Sequence, residues 1–477
     1  MPEMPDKHEI LKVYWFRKDL RLKDNRALTR FIDDVNHGDK YIFIYIKNKD
    51  SYNFYGEMRL AFLKNSLEEL SSVLKKMQLS LSVLKGNSID VFKMLLKKYN
   101  RLTVFANSQI EPYSISRDNL VSEFLNSSGS ELKLYYDNML FEPKEVVKND
   151  GMPYSVFTPF SKKCYTLINE NHYACLNPDF DKLNPHNCIS IDSERLDKYN
   201  QSPVFKGGRN EGLMFLKDFY KNGLNKYKIQ RDFPSIKGTS LLSPHLHFGT
   251  VSIRECWRCA LDKIKKTVDS PNIKSWMNEL LWREFYYHIT FHFPHIIKGA
   301  FKQTFDMIEW NYDKTLFEKW CNGTTGFPIV DAGMRQLNKN GWVHNRVRMI
   351  VAMFLTKDLF IDWKWGEKYF AQKLVDLDFA SNNGGWQWSA STGCDAQPYF
   401  RIFNPYLQSV RFDANGSYIR KYVEELRNVP DKYIHKPDDM SEEQCIKYGA
   451  SEYPKPLIDH HAAKEYTITR FKKLYEN

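Results

Sequence analysis

Nowhere in this sequence do about 18 or more apolar residues run together, so the usual basis for a membrane-spanning helix is missing. The opening stretch, MPEMPDKHEILKVYWF, lacks the apolar centre of a secretory signal, and a cytoplasmic protein is expected. Cysteine is sparse. Cys164, Cys175, Cys188, Cys256, Cys259, Cys321, Cys394 and Cys445 are scattered through 477 residues and do not form a disulfide framework. Cys256 and Cys259 stand as CxxC, yet no second pair has zinc-ligand spacing and no strand precedes them, so both read as structural. No His, Cys or carboxylate set is spaced for a metal. GxSxG, the P-loop and GxGxxG are also missing, which excludes the common hydrolase elbow and the standard triphosphate and dinucleotide cradles. Low-complexity tracts and long repeats are absent too, so neither a solenoid nor a disordered chain is expected.

What is present is a basic, aromatic chain. The net charge is +11, an excess of Lys and Arg that favours a polyanionic partner through release of counterions. Aromatic content is 15%, with 11 Trp, 28 Tyr and 32 Phe, groups that stack on planar ligands. The length exceeds what one compact core serves, and two domains are expected.

The first third alternates β-rich and helical runs. KVYWF (12–16), YIFIYI (41–46), LSLSVL (79–84) and LTVFA (102–106) read as buried strands, and residues 58–77 and 89–99 carry helical spacing. Such alternation predicts a doubly wound parallel α/β sheet over residues 10–136, with ligands at the strand C-termini. Residues 137–205, rich in Pro, Asn and Asp, read as an irregular connector. Long amphipathic segments follow, among them 273–293 and 345–360, and predict an all-α helical domain over 206–477.

Four short stretches concentrate chemistry. NNGGWQW (382–388) sets two indoles beside two glycines; in a helix Trp386 and Trp388 would point about 160° apart and serve different neighbours. NELLWREF places Glu279, Trp282 and Arg283 at spacings of three and four, so that they can share a face. A carboxylate beside an indole and a guanidinium suits recognition of a flat polar ring. GWVHNRVRM carries His344, Asn345, Arg346, Arg348 and Met349, with Arg346 and Arg348 aimed differently. LVDLDFASNN supplies Asp376 and Asp378, and a buried Arg348 would need a partner such as Asp376. Each Trp taken singly is an ordinary packing residue, and His344 alone is a packed histidine.

WFRKDLRLKDNRAL, GTSLLSPHLHFG, NELLWREFY, GWVHNRVRM and NNGGWQWSASTGCDAQPYFRIFNP together resemble the photolyase/cryptochrome family over nearly the whole chain. Within it the motifs are most similar to the class I branch acting on cyclobutane pyrimidine dimers. The resemblance implies an N-terminal antenna domain and a C-terminal domain holding reduced FAD. It also implies light-driven electron transfer to a dimer flipped out of DNA, with return of the electron, by a monomer. By resemblance Tyr227, Thr239, Ser240, Leu241, Leu242, Ser243, Trp276, Arg283, Asn345, Arg348, Asp376, Asp378 and Asn382 hold the FAD, Asn382 facing its N5. Glu279, Trp282, Asn345, Met349 and Trp388 form the dimer cavity, and Arg283, Arg346, Arg401 and Gln408 add DNA contacts. Trp386, Trp363 and Trp310 match the chain that photoreduces oxidised flavin.

The antenna departs from the family pattern. Folate-binding members carry Asn-Glu where this chain has Tyr113-Ser114, although Lys298 matches a folate-side lysine. A folate, a deazaflavin, a second flavin and an empty site stay open, with methenyl-tetrahydrofolate favoured. The (6-4) photolyases carry histidines at Asn345 and Met349, which disfavours them; HNRVRM disfavours the DASH type. The rival of another class is a cryptochrome, a light receptor without repair activity.

Overall fold

The computed structural model describes residues 10–48, 54–194, 197–267 and 270–476; residues 1–9, part of the stretch inspected for a signal, lie outside the described residues. Strands β1 (Ile10–Phe16), β2 (Lys40–Lys47), β3 (Leu81–Lys85), β4 (Arg101–Asn107) and β5 (Glu131–Tyr135) form one sheet in the order β3-β2-β1-β4-β5. All pairings are parallel, with Val13 opposite both Ile42 and Val104. The central strands are near-continuous apolar runs because helices cover both faces. Those helices are α1 (Arg26–Asp34), α2 (Glu57–Lys76), α3 (Ser88–Leu96) and α4 (Pro112–Ser127).

The four expected strands are present, and β5 adds a fifth. ELKLY is short, half exposed and at the sheet edge, and two of its five side chains are charged, so it lacks the apolar run that marks the others. The connector is less irregular than expected. Residues Phe157–Leu167 form helix α5, which buries Phe157, Phe160, Ser161 and Cys164. Pro159 and two lysines hide that apolar spacing in the sequence. Further on, the connector runs along β2 and β3: the Ile189 amide donates to Tyr41 O of β2 at 2.8 Å and the Glu194 amide to Val83 O of β3 at 2.8 Å.

The order reverses between β1 and β4, the place where doubly wound sheets take ligands. Here protein side chains fill it. Arg17 binds Asp118 through both terminal nitrogens, at 2.8 and 2.9 Å, and lies 3.8 Å over the Trp15 ring. Asn107 donates to Asp19 at 2.6 Å and to Asn25 at 2.8 Å, and Tyr14 donates to Asp19 at 2.6 Å.

The remainder is mostly helical. Helices α6 (Ile253–Lys265), α7 (Ser270–His292), α8 (Asn345–Met353), α9 (Trp363–Lys373), α10 (Phe379–Ala390) and α11 (Pro405–Phe412) bear on the site. A buried ion cluster joins this body to the sheet. Arg254 of α6 donates to Asp24 at 3.1 Å and to Asp137 at 2.7 Å, and Arg21 also reaches Asp137. Burial pushes the Asp137 carboxyl up, but Arg21 and Arg254 outweigh it and hold the group well below the usual range. Gly249 sits against the Lys18 carbonyl at φ +65°, where a Cβ would come within 2.2 Å of that oxygen.

The segment expected as one helix over 345–360 changes character midway. It is α-helical to Met353, widens into a π-turn over Phe354–Asp358, and ends at Phe360 with φ 53°. In the π-turn Lys357 is buried and donates to Ala390 O at 3.0 Å. Cys256 and Cys259 lie within α6 and all eight cysteines are free thiols. No described helix is long and apolar enough to cross a membrane.

Candidate active site

Helices α7, α8 and α10 and the 239–243 segment enclose a cavity of about 490 Å³, a volume suited to a cofactor. Leu241 has φ 54°, a left-handed conformation that bends the segment so that Thr239, Ser240, Leu241, Leu242 and Ser243 all line the wall. Tyr227 and Trp276 line it beside them, and the Tyr227 and Trp276 rings both pack on Phe219, at 5.8 and 5.1 Å.

The cavity also carries a polar lining. Arg348 donates to Asp376 at 2.8 Å and to Val343 O at 2.8 Å, so the pair anticipated from the sequence is formed. Asp376 Oδ1 is buried without a hydrogen-bond partner, and so is His247 Nδ1; both residues line the cavity. Two buried polar atoms left unmatched in one cavity call for a ligand that matches them. Asp378 accepts the Tyr287 hydroxyl, while its other oxygen caps α10 through the Ser381 amide at 2.9 Å. Asn382 donates Nδ2 to Glu367 O at 3.1 Å, so its Oδ1 is the acceptor that remains for the cavity it lines. Burial pushes the neighbouring Glu367 carboxyl up to about 7.

Glu279, Trp282, Arg283, Asn345, Met349 and Trp388 line the same cavity. Trp282 is stacked on Phe157 of α5, with centroids 3.7 Å apart and planes 8° apart. Glu279 does not pair with Arg283, its neighbour at i+4. Arg283 instead donates to Asn138 O at 2.7 Å and lies 4.3 Å over the Tyr287 ring. The partner of Glu279 is Arg231, which follows the short helix Tyr227–Gln230. That helix packs on α7 and brings in a residue 48 positions away, which local spacing cannot reveal. Burial raises the Glu279 carboxyl above its ordinary range, and Arg231 opposes the shift.

The two indoles of α10 both line the cavity but differ in burial and neighbours. Trp386 is 3% exposed and meets Phe370 at 5.1 Å and Trp320 at 6.0 Å, with its ring edge over Gly366. Trp388 is half-buried on the cavity wall. The glycines divide in the same way. A Cβ on Gly384 would come within 2.1 Å of the Tyr286 ring, while one on Gly385 would meet no protein atom within 4 Å.

Five expected residues lie off the cavity wall. Trp363 is buried at the start of α9, and Trp310 packs on Phe360 at 5.0 Å and on Phe471 at 6.3 Å. Arg346 binds Asp232 at 2.8 Å and covers the Phe412 ring at 4.4 Å; Arg401 is exposed and Gln408 is half-buried. His344, buried, caps α8 by accepting the Arg346 amide at 3.2 Å, and burial pulls its imidazole down to about 4. Residues that the motifs did not single out also line the cavity: Arg231, His247, Tyr286 and Gly385. A hydroxyl-rich segment, a carboxylate pair, an amide acceptor, indoles and a further carboxylate line this one chamber. A chamber so lined fits a large planar cofactor.

Residues 276–473 match the family model described as the FAD binding domain of DNA photolyase, and residues 12–178 match that of DNA photolyase. The chain is 38% identical to the deoxyribodipyrimidine photo-lyase of Alkalihalophilus pseudofirmus, over 97% of this chain and 98% of that one. Its fold is similar to that of a bacterial class III photolyase from Agrobacterium tumefaciens, with a TM-score of 0.89, 35% identity and complete coverage of both chains. It is also similar to a Synechocystis cryptochrome, with a TM-score of 0.87, 26% identity and coverage of 97% of this chain and 99% of that one. The chain belongs to the DNA photolyase family, and FAD is its cofactor.

Proposed function

We propose that this protein repairs cyclobutane pyrimidine dimers in DNA under blue or near-UV light, in the manner of class I photolyases. One observation carries the reading: a single cavity is lined both by Asp376, Asn382 and residues 239–243 and by Glu279, Trp282 and Trp388. Reduced FAD, when bound, supplies an electron to the dimer on absorbing light and recovers it once the ring has opened. The chain does the rest. Thr239 to Ser243 and Tyr227 seat the phosphates and ribitol, and Trp276, Arg283, Asn345, Arg348, Asp376 and Asp378 surround the rings. Asn382 offers Oδ1 as an acceptor for an N–H. Trp282 and Trp388 take the bases of the flipped dimer, Asn345 and Met349 complete the cavity, and Glu279 meets the base edges. Stacking worth roughly 1–3 kcal/mol per base offsets an unstacking cost of a few kcal/mol. Arg346, Arg401 and Gln408 meet the flanking DNA.

The path that recharges oxidised flavin runs from Trp310 through Trp363 to Trp386, the one of the three that lines the cavity. Residues 10–136 serve as the antenna domain, 137–205 as connector and 206–477 as the catalytic domain. The antenna chromophore is a folate, supported by Lys298, and extraction of bound pigments from purified protein identifies it. The protein works as a monomer in the cytoplasm.

The test uses reduced holoprotein and an oligonucleotide containing one dimer. Dimers are expected to disappear in blue light and persist in the dark. Persistence in the light, with the flavin bound and reduced, would sink the repair reading and favour the cryptochrome-type receptor instead. Trp386→Phe should slow photoreduction of oxidised flavin and leave dimer binding unchanged.

A further inference from the structure

At the rim of the cavity four charged side chains follow one another as Glu279, Arg231, Asp232 and Arg346. Arg231 contacts the Glu279 carboxylate through Nη1 and stands 4.0 Å from Asp232 through Nε. Asp232 accepts Arg346 Nη2 at 2.8 Å. Two carboxylates thus close on two guanidiniums, and the row carries no net charge. None of the four is sealed off: their side chains are between 18% and 36% exposed.

The surroundings hold this row without supplying other counter-charges. On the Arg231 side, Tyr227 lies under the guanidinium at 5.5 Å and Ser275 of α7 stands at 3.5 Å. Tyr227 and Tyr286 are pushed well above the ordinary phenol range, first by burial, and stay neutral. On the Arg346 side, His344 is neutral at neutral pH, and Arg348 is occupied by Asp376. Phe412 of α11 supplies a ring face to Arg346. Glu279 is already raised by burial, with Arg231 the first opposing influence and Asp232 acting in the same sense as burial.

We infer that this row is a charge ladder that couples DNA binding to uptake of a proton by Glu279, with Asp232 as its pivot. The inference rests on reading the cavity as the dimer site. Both arginines already have a carboxylate partner in the free protein, so a DNA phosphate that draws on either guanidinium competes with that carboxylate for it. When Arg231 turns to a phosphate, Glu279 loses its counter-charge and gains an anion nearby. The carboxylate then takes a proton from solvent, and the neutral acid can donate to a carbonyl of the dimer. Asp232 meanwhile holds both arginines back from undamaged backbone, where no dimer enters to receive the acid's hydrogen bond. Asp232 and Arg231 are positioning residues in this scheme. The sign follows from linkage: a complex that binds more protons than its parts weakens as pH rises.

Titration calorimetry of the holoenzyme with a dimer-containing duplex, in the dark at pH 6.5, measures the coupling. Run in PIPES and in imidazole, which differ in ionisation enthalpy, it should show uptake of about 0.5–1 proton per complex. Glu279→Gln should bind with no buffer-dependent heat. Asp232→Asn should tighten binding of undamaged duplex about 3–10-fold and so narrow the preference for damage; its flavin spectrum reports that the fold is kept. Equal heats in the two buffers, from protein that binds and repairs dimers, would overturn the ladder and leave the repair function standing. Unchanged affinity of Asp232→Asn for undamaged duplex would remove Asp232 from it. Failure to bind or repair dimers at all would instead strike the function itself.

Discussion

The strand-end crevice of the sheet and the cavity beneath α7 and α10 are both polar basins, and they are built in opposite ways. In the crevice Arg17, Asp19, Asn25, Asn107 and Asp118 satisfy one another, and Arg17 Nε is the one atom of these side chains left buried without a partner. In the cavity Asp376 Oδ1 and His247 Nδ1 are left unmatched, Asn382 keeps an acceptor, and Gly385 opens the helix wall. A buried polar group without a partner costs on the order of 1–3 kcal/mol, which a ligand that meets Asp376 Oδ1 and His247 Nδ1 would relieve. The crevice supports the fold, and the cavity suits a cofactor.

The sharpest way to break this contrast is at the junction beside the crevice. Asp137→Ala leaves Arg21 buried without a carboxylate and Arg254 with Asp24 alone, and should cost about 3–5 kcal/mol, read as a lower Tm of the apoprotein. The same carboxyl is depressed in the folded state. Its contribution is therefore present above the ordinary aspartate pKa of about 4 and is lost as pH falls below it. A neutral Asp137→Ala would mean that the network is not holding the junction. On the cavity side, Arg348→Ala strips Asp376 of its one ion pair. Flavin affinity is expected to fall about tenfold or more, roughly 1.4 kcal/mol, read from the ratio of flavin to protein absorbance. Full flavin occupancy in that variant would take the pair out of the cofactor wall.

The same contrast explains what was legible beforehand. β1 to β4 announce themselves because both faces are covered and each strand is one apolar run, whereas β5, an edge strand of alternating charge, does not. The spacing within NNGGWQW foretold different neighbours for Trp386 and Trp388, since a helix turns fixed angles per residue, but not that both would reach the one cavity. The pairing of Arg348 with Asp376 followed from the cost of burying a lone guanidinium. Arg231 and Asp232 carried no such mark. They enter the rim through a four-residue helix whose position depends on its packing against α7, and local spacing offered Arg283 for Glu279 instead. Helix α5, which supplies the Phe157 platform under Trp282, was hidden by its proline and lysines. Contacts set by one element's own periodicity can be read from sequence; those set by docking of two elements cannot.

At the mouth, Trp388→Ala should weaken binding of dimer-containing DNA by roughly 1–3 kcal/mol with little change in Tm, because the indole is half-buried and meets the ligand side. Filter binding in the dark measures it. An equal loss for undamaged duplex would show that the indole serves the backbone and not the flipped bases.

The smallest expected effect is the most discriminating. Gly384 and Gly385 are adjacent in α10, yet one is closed by the Tyr286 ring and the other faces open space. Gly385→Ala removes a flexible residue from a helix interior and should stabilise the apoprotein by about 0.5–1 kcal/mol. The added methyl meets no protein atom but enters the cavity, so flavin content should fall in the same variant whose apo Tm rises. Those opposite signs separate a wall shaped for the fold from one shaped for its cofactor. If Gly385→Ala gains stability and keeps its flavin, the cofactor does not approach α10 at this residue, and the opening there belongs to the DNA side of the cavity.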